Sequence, residues 1–253
     1  MYSREIKGQD LTFGVSGKLI MNVLVMFDRE TNSLWSQLLG EAVEGPFEGT
    51  KLEFVPAVHT KWADWKEQHP DTRALVKGFS GSYTSYTSYY SDNTAGVLGE
   101  TVEDERLRTK QLVVGVAING DAVAYPFFAI GREETLINDD VGGEPILVVL
   151  DMEGGSGIVF SRRTEDGEIL TFSETEGMIF TDQETGTTWD GRTGSASDGP
   201  LEGTQLERIK STKSFWFGWK DFYPETRVYG EVIEDSERIL REFLLSKILY
   251  LID

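Results

Sequence analysis

The sequence predicts an α+β protein that is mainly β: two related β-rich units, each with a short Trp-x-x-Trp helix, followed by a C-terminal helix. Three observations carry that prediction. An internal repeat places all six tryptophans in pairs at one offset. Apolar runs of strand length lie between glycine-rich turns. Helical spacing is confined to one short stretch in each unit and a longer one at the end. At 253 residues, 39% hydrophobic and 11% aromatic, the chain can bury a real core.

The repeat is read directly. Asp28-Arg29-Glu30-Thr31-Asn32-Ser33-Leu34-Trp35 matches Asp182-Gln183-Glu184-Thr185-Gly186-Thr187-Thr188-Trp189, and Gly45-Pro46-Phe47-Glu48-Gly49-Thr50 matches Gly199-Pro200-Leu201-Glu202-Gly203-Thr204. Trp62-Ala63-Asp64-Trp65-Lys66 matches Trp216-Phe217-Gly218-Trp219-Lys220, and Pro70-Asp71-Thr72-Arg73 matches Pro224-Glu225-Thr226-Arg227. The offset is about 154 positions throughout.

The first unit is expected over 1–79. Leu19 to Phe27 is an apolar strand closed by Lys18 and Asp28. Position 32 is Asn and its counterpart 186 is Gly, residues that tolerate a left-handed backbone, so Glu30–Ser33 and its twin read as hairpin tips. Thr60 and Ser214 stand where they can cap the helices that follow. Those helices end before Pro70 and Pro224, and Arg73–Val76 and Arg227–Tyr229 return as short strands. Tryptophans required twice by one pattern are expected in the core.

A connector is expected over 80–112. Its Ser82-Tyr83-Thr84-Ser85-Tyr86-Thr87-Ser88-Tyr89-Tyr90 run has tyrosines about every third residue, which suits an extended strap. The second unit, 113–230, adds about 57 residues that the first lacks. Leu112–Ile118 and Ala122–Tyr125 form a hairpin around Asn119-Gly120. Pro145–Leu150 is a buried strand that Gly154-Gly155-Ser156-Gly157 turns into Ile158–Phe160. The first unit therefore reads as truncated, with a sheet edge to be covered. In 231–253, Ser236 to Leu249 reads as a helix with Leu240, Phe243, Leu244 and Ile248 on one face.

Charge and composition exclude several functions. Lys and Arg total 24 against 43 Asp and Glu, a net charge of −19 that repels nucleic acids and anionic membrane surfaces. No apolar run reaches membrane-span length, so membrane insertion is not expected. The absence of cysteine removes disulfides, thiolate metal sites and a Cys nucleophile. High-salt adaptation also explains the acidity.

The segments Leu11-Thr12-Phe13-Gly14-Val15-Ser16-Gly17, Val25-Met26-Phe27-Asp28-Arg29 and Ser33-Leu34-Trp35-Ser36-Gln37 resemble a bacterial and archaeal family called domain of unknown function 3179. So do Ala124-Tyr125-Pro126, Asn138-Asp139-Asp140-Val141-Gly142-Gly143 and the Trp-x-x-Trp ends, a similarity running from about Ser3 to Tyr229. The resemblance implies no established activity. It implies an extracytoplasmic location, because members often carry an export signal; Met1–Glu5 shows none, and the chain as it stands reads as cytoplasmic. Where members have a Cys-Pro-x-x-Gly-like stretch, this chain has Asp151-Met152-Glu153-Gly154-Gly155.

Catalytic and cofactor patterns are weak. Gly78-Phe79-Ser80-Gly81-Ser82 misplaces a glycine for a nucleophile elbow, and only His59 and His69 are candidate bases. Gly154-Gly155-Ser156-Gly157 leads into a strand rather than the helix a phosphate loop needs. No metal-ligand spacing occurs; Asp139-Asp140 beside Gly142-Gly143 reads as an Asx turn, and the two histidines as surface or rim residues. No metal and no cofactor are expected. Polar residues confined to one copy are the candidates for ligand binding: Ser16 and Asn22 around the insertion Lys18–Asn22, and Ser36 and Gln37 after Trp35, lining one mouth of a groove between the units. The expectation is a non-catalytic module that binds a ligand or protein partner, with a carboxylate-dependent hydrolase of a polar or sugar-like substrate as the alternative. The C-terminal helix or an exposed sheet edge offers surfaces for a homo-oligomer.

Overall fold

The computed structural model describes residues 1–57, 59–74, 89–90, 92–127, 135–152 and 155–230. The protein is mainly β, with several small sheets and two helices among the described residues. Strands β1 (Glu5–Ile6) and β2 (Gln9–Asp10) form a small hairpin. Then β3 (Phe13–Ile20), β4 (Val23–Asp28), β5 (Leu34–Ser36) and β6 (Glu41–Glu44) make an antiparallel meander in that order. Met21 and Asn22, at φ 48° and 62°, close the β3–β4 hairpin with a two-residue turn. Ile6, Leu11, Trp35, Ala42 and Leu52 fill the interior of this region.

Helix α1 (Trp62–Gln68) follows. Next, β7 (Leu112–Ile118) and β8 (Asp121–Pro126) are joined through Asn119 and Gly120 at φ 51° and 89°, the expected hairpin turn. β9 (Leu136–Val141), β10 (Glu144–Asp151) and β11 (Ser156–Ser161) form a three-stranded sheet with β10 in the middle. A second meander runs β12 (Phe172–Glu176), β13 (Ile179–Asp182), β14 (Thr188–Asp190), β15 (Ala196–Asp198). Finally β16 (Thr212–Phe215), helix α2 (Trp216–Phe222) and β17 (Arg227–Val228) return to the hairpin, giving a sheet ordered β16-β7-β8-β17.

Strand β10 joins two cores. Side chains alternate across a strand, so Ile146, Val148 and Leu150 pack with Val114, Val116 and Tyr125. Leu147 and Val149, on the other face, pack with Phe160, Phe172 and Trp189. A strand covered on both faces has no room for polar residues, which explains its unbroken apolar run.

The two meanders share one polar latch. Asp28 is fully buried and its Oδ1 accepts the Thr31 amide at 2.6 Å, while its Oδ2 accepts the Trp35 indole N–H at 2.9 Å. Asp182 accepts the Thr185 amide at 2.6 Å and the Trp189 indole N–H at 2.9 Å. Phe13 and Phe172 stand edge-on to those indoles at 5.6 and 5.9 Å. Burial pushes the Asp28 carboxyl up, but hydrogen bonds from Trp35, Thr31 and the Ser33 amide outweigh it and hold the group below its ordinary value.

The helices correct two expectations. Neither Thr60 nor Ser214 caps: the N-cap residues are Lys61 and Phe215, without side-chain cap bonds. The second concerns the core. Trp216 and Trp219 are 0% and 1% exposed, but Trp62 and Trp65 are 52% and 36% exposed. The local geometry of the two helices agrees: the Trp65 indole donates to Thr72 at 3.0 Å, the Trp219 indole to Thr226 at 2.9 Å. What differs is the cover. Helix α2 lies on Val113, Ala122 and Ala124, and a Cβ at Gly115 would sit 2.2 Å from the Trp219 ring. The connector closes the other side: Asp221 accepts the Thr101 and Val102 amides at 2.9 Å, Lys220 pairs with Glu100 at 2.7 Å, and the Trp216 indole donates to Asp104 O at 3.1 Å. Leu107 completes that cluster. Helix spacing specifies the shared face of two indoles; burial needs a second surface.

The expected strand at Arg73–Val76 is not seen at Arg73 and Ala74, and the rest of it lies outside the described residues, as do Ser82–Ser88 and the C-terminal stretch Ser236–Leu249. Tyr89 and Tyr90, at the end of the strap, lie 6.3 and 6.0 Å from the Phe215 ring.

Two outcomes test this account. Acrylamide quenches Trp62 and Trp65, so Trp62→Phe with Trp65→Phe removes most of the quenchable emission and leaves a blue-shifted, protected remainder. For Asp28, a folded-state pKa below the unfolded one contributes stability above roughly pH 4 that is lost as pH falls through the folded value. Asp28→Asn therefore costs about 1–3 kcal/mol at pH 7, and denaturant melts show the gap to wild type closing in acid.

Candidate functional site

The N-terminal meander meets β16 and β11 along a seam tied by specific polar contacts. The Lys210 ammonium donates to Leu39 O at 2.6 Å and lies 5.4 Å from the Tyr2 ring; Tyr2 in turn donates to Leu38 O at 3.2 Å. Burial, then Lys51, lowers the Lys210 pKa, with Glu41 opposing. Burial, then the nearby Tyr223, pushes the Tyr2 phenol up to about 12, so it is a neutral donor at this junction.

Two adjoining spaces open along the seam. The smaller, about 140 Å³, is lined by His59, Ser156, Arg208, Ser211 and Lys213 among others. The larger, about 570 Å³, runs over Phe13, Val23, Met26, Leu38 and Phe54, with Gln37 also lining it. His59, Ser211, Lys213 and Phe54 border both. Among the described strands β16 is the outer one of its sheet, and its Thr212–Ser214 segment lines the larger space.

The electrostatics of this cleft oppose those of the chain. Among the described lining residues of both spaces there is no carboxylate, although the protein carries 43 acids and a net charge of −19. Other surface hollows gather acids, one holding Glu100, Glu103, Asp104 and Glu105 with Arg108, and another Glu144, Glu165 and Glu207 with Arg163 and Lys210. The Lys213 ammonium donates to Gly155 O and lies 5.9 Å from the Phe127 ring, and partial burial lowers its pKa. Arg208 is lowered by burial too, against the pull of Asp190; it donates to Arg192 O and covers the Phe160 ring at 5.2 Å. Lys213, partly stripped of water and with no acid among the described lining residues, is the cation an anionic ligand would relieve.

The four residues expected at the groove separate. Gln37 lines the cleft. The buried Ser36 accepts the Leu39 amide at 3.3 Å in the turn after β5. Ser16 donates to Val25 O at 2.6 Å where β3 shifts register. Asn22 anchors the connector, accepting the Val97 and Leu98 amides at 2.8 and 2.7 Å and donating to Gly99 O at 2.7 Å.

Sequence reasoning missed the residues that surround the smaller space, yet a signal was present. Phe54 and Arg208, Ala57 and Ser211, His59 and Lys213 are pairs 154 positions apart, and all six line that space. Searching for residues without a counterpart selects loops. Three of the positions that differ in chemistry across the 154-residue offset meet at this cleft.

A second polar cluster is structural. The Tyr125 phenol donates to Asp139 at 2.7 Å, and Arg227 donates to Asp139 at 2.7 Å and to Asp140 O at 2.8 Å, tying β17 to β9. Burial first, then Asp139, pushes Tyr125 far above the ordinary phenol range. Asp140 accepts the Gly143 amide at 3.0 Å, three residues on, so its carboxylate braces the β9–β10 turn rather than forming the expected two-residue Asx turn. Among the described residues no three His, Asp or Glu converge as metal ligands, and no helix is long and apolar enough to cross a membrane.

If Asn22 is the connector's anchor, Asn22→Ala speeds hydrogen exchange at the Val97 and Leu98 amides by about tenfold. The Trp35 indole keeps its protection, which two-dimensional NMR reads in the same sample.

The chain belongs to the family described as protein of unknown function DUF3179, matched over residues 1–226. Neither a curated protein nor a solved structure matches it.

Proposed function

We propose that this DUF3179 chain is a non-catalytic binding module, built from two copies of one β-rich unit, whose ligand is a small anion held in the cleft between them. The first copy spans 1–79 and the second 113–230, with 80–112 as connector and 231–253 as a C-terminal extension. The matched Asp–Trp latches and the equal local geometry of α1 and α2 support the duplication. In that reading the second copy's extra hairpin is what buries Trp216 and Trp219, and its absence from the first leaves Trp62 and Trp65 exposed.

One observation carries the ligand class: a cleft bordered by Lys213 and Arg208, with no carboxylate among its described lining residues, on a strongly acidic protein. Clefts lined by one sign of charge concentrate ligands of the other. The carboxylate-hydrolase alternative needs a general acid with a raised pKa. Every described carboxylate with a displaced pKa is displaced downward: Asp28, Glu30, Asp92, Asp104 and Glu184.

Titration with acetate, inorganic phosphate and methylammonium, followed by amide NMR, tests the reading. The anions shift resonances of Ser156, Ser211 and Lys213, and methylammonium does not. Lys213→Met weakens anion binding about tenfold or more. Shifts that ignore the sign of the probe, or a Lys213→Met variant that binds as wild type, overturn it.

A further inference from the structure

The two spaces of the cleft differ in chemistry. The smaller has hydroxyls and cations at its rim: Ser156, Ser211, Arg208 and Lys213. The larger runs over Phe13, Val23, Met26, Leu38 and Phe54. Lys213 borders both, which puts a positive charge at the entrance to an apolar channel.

We infer that the ligand is amphiphilic: a carboxylate or phosphate head beside Lys213, and an apolar portion of several carbons laid along Phe13, Met26, Leu38 and Phe54. The inference rests on the reading of the cleft as an anion site and adds the tail. Three features of the cleft support it. The larger space, about 570 Å³, falls within the range of small-molecule sites and is far too small for a folded partner. Its apolar side chains come from β3, β4 and the loops around β6, and two of them, Phe13 and Met26, pack against the cluster that Trp35 anchors, so this wall is built before any ligand arrives. The charge complementarity is local: the ammonium lies against the Phe127 ring and the Gly155 carbonyl, with no described lining acid to satisfy it.

Isothermal titration of the full chain with acetate, butanoate, hexanoate and octanoate tests the tail, with hexan-1-ol and hexyl phosphate alongside. Affinity is expected to tighten about threefold to fourfold per methylene along the series. Hexan-1-ol binds more weakly than hexanoate, and Lys213→Met removes that difference. Gln37→Trp, which narrows the larger space from an exposed position, flattens the gain per methylene. Hexyl phosphate and hexanoate identify the head, and tight binding of either supports the proposal. An anion series whose affinity does not depend on chain length overturns this inference and leaves the anion reading standing. Hexan-1-ol binding as tightly as hexanoate overturns the head assignment and the inference with it. No response to any anion overturns both readings. The series on the unmodified protein decides the matter even if a variant fails to fold.

Discussion

A carboxylate buried without a cation beside it is expensive, and the meanders of this protein are organised around making that burial tolerable. Asp28 and Asp182 stand at the ends of β4 and β13, where each turn must present a backbone amide, a threonine hydroxyl and an indole N–H to the carboxylate oxygens. Donors from three directions are available only if the hairpin is tight and the next strand returns in one register. Met26 then lies opposite Trp35, and Phe180 opposite Trp189. The cost of desolvating the charge thus becomes a penalty on any other register.

From that register the rest of each meander follows. The indole is pulled inward by its N–H and presents a flat apolar face to Phe13 or Phe172. The chain then turns at Gly45 and Gly199, at φ 100° and 108°, where an added Cβ would meet Ser33 or Thr187 backbone at 2.8 Å. Only a residue without a side chain lets the loop cover the latch so closely. In the second meander Trp189 goes on to pack against Leu147 and Val149 of β10, and through β10 the latch reaches the hairpin core.

Part of the strand pattern was legible, because buried strands are written as apolar runs and one two-residue turn as Asn-Gly; Leu19–Phe27, read as one strand, is instead broken by the Met21–Asn22 turn, whose residues carry no such signal. β7, β8 and β10 were readable for that reason. The capping expectation failed because Thr60 and Ser214 sit one residue early: the chain at Lys61 and Phe215 is already extended and leads straight into the helix. The burial of Trp62 was misread for a different reason. A Trp-x-x-Trp face states that two indoles point one way and says nothing about whether a sheet waits there; for Trp216 the answer comes from residues over a hundred positions earlier. The cleft was hidden likewise. Gln37 reached it, but Asn22, polar and specific to one half, is spent on holding the connector, and the lining cations come from positions that a repeat-based reading assigns to the fold.

The distribution of charge gives the cleft its meaning. In a chain this acidic, a lysine placed at random has carboxylates nearby: Lys220 has Glu100 and Asp221, Lys110 has Asp92, and Arg227 has Asp139. At the seam the pattern breaks. Lys210, which also feels Glu41, is met by Leu39 O and Lys213 by Gly155 O, and burial lowers the pKa of both. For Lys210 the break has a structural reason, since a neutral carbonyl across the junction ties the halves without a second buried charge. Lys213 likewise ties β16 to the β10–β11 turn through Gly155 O, and it also borders the apolar space, partly stripped of water, with more N–H donors than one carbonyl takes. Among the described residues no carboxylate pairs with Lys213, and that is the place the proposed anionic head takes up.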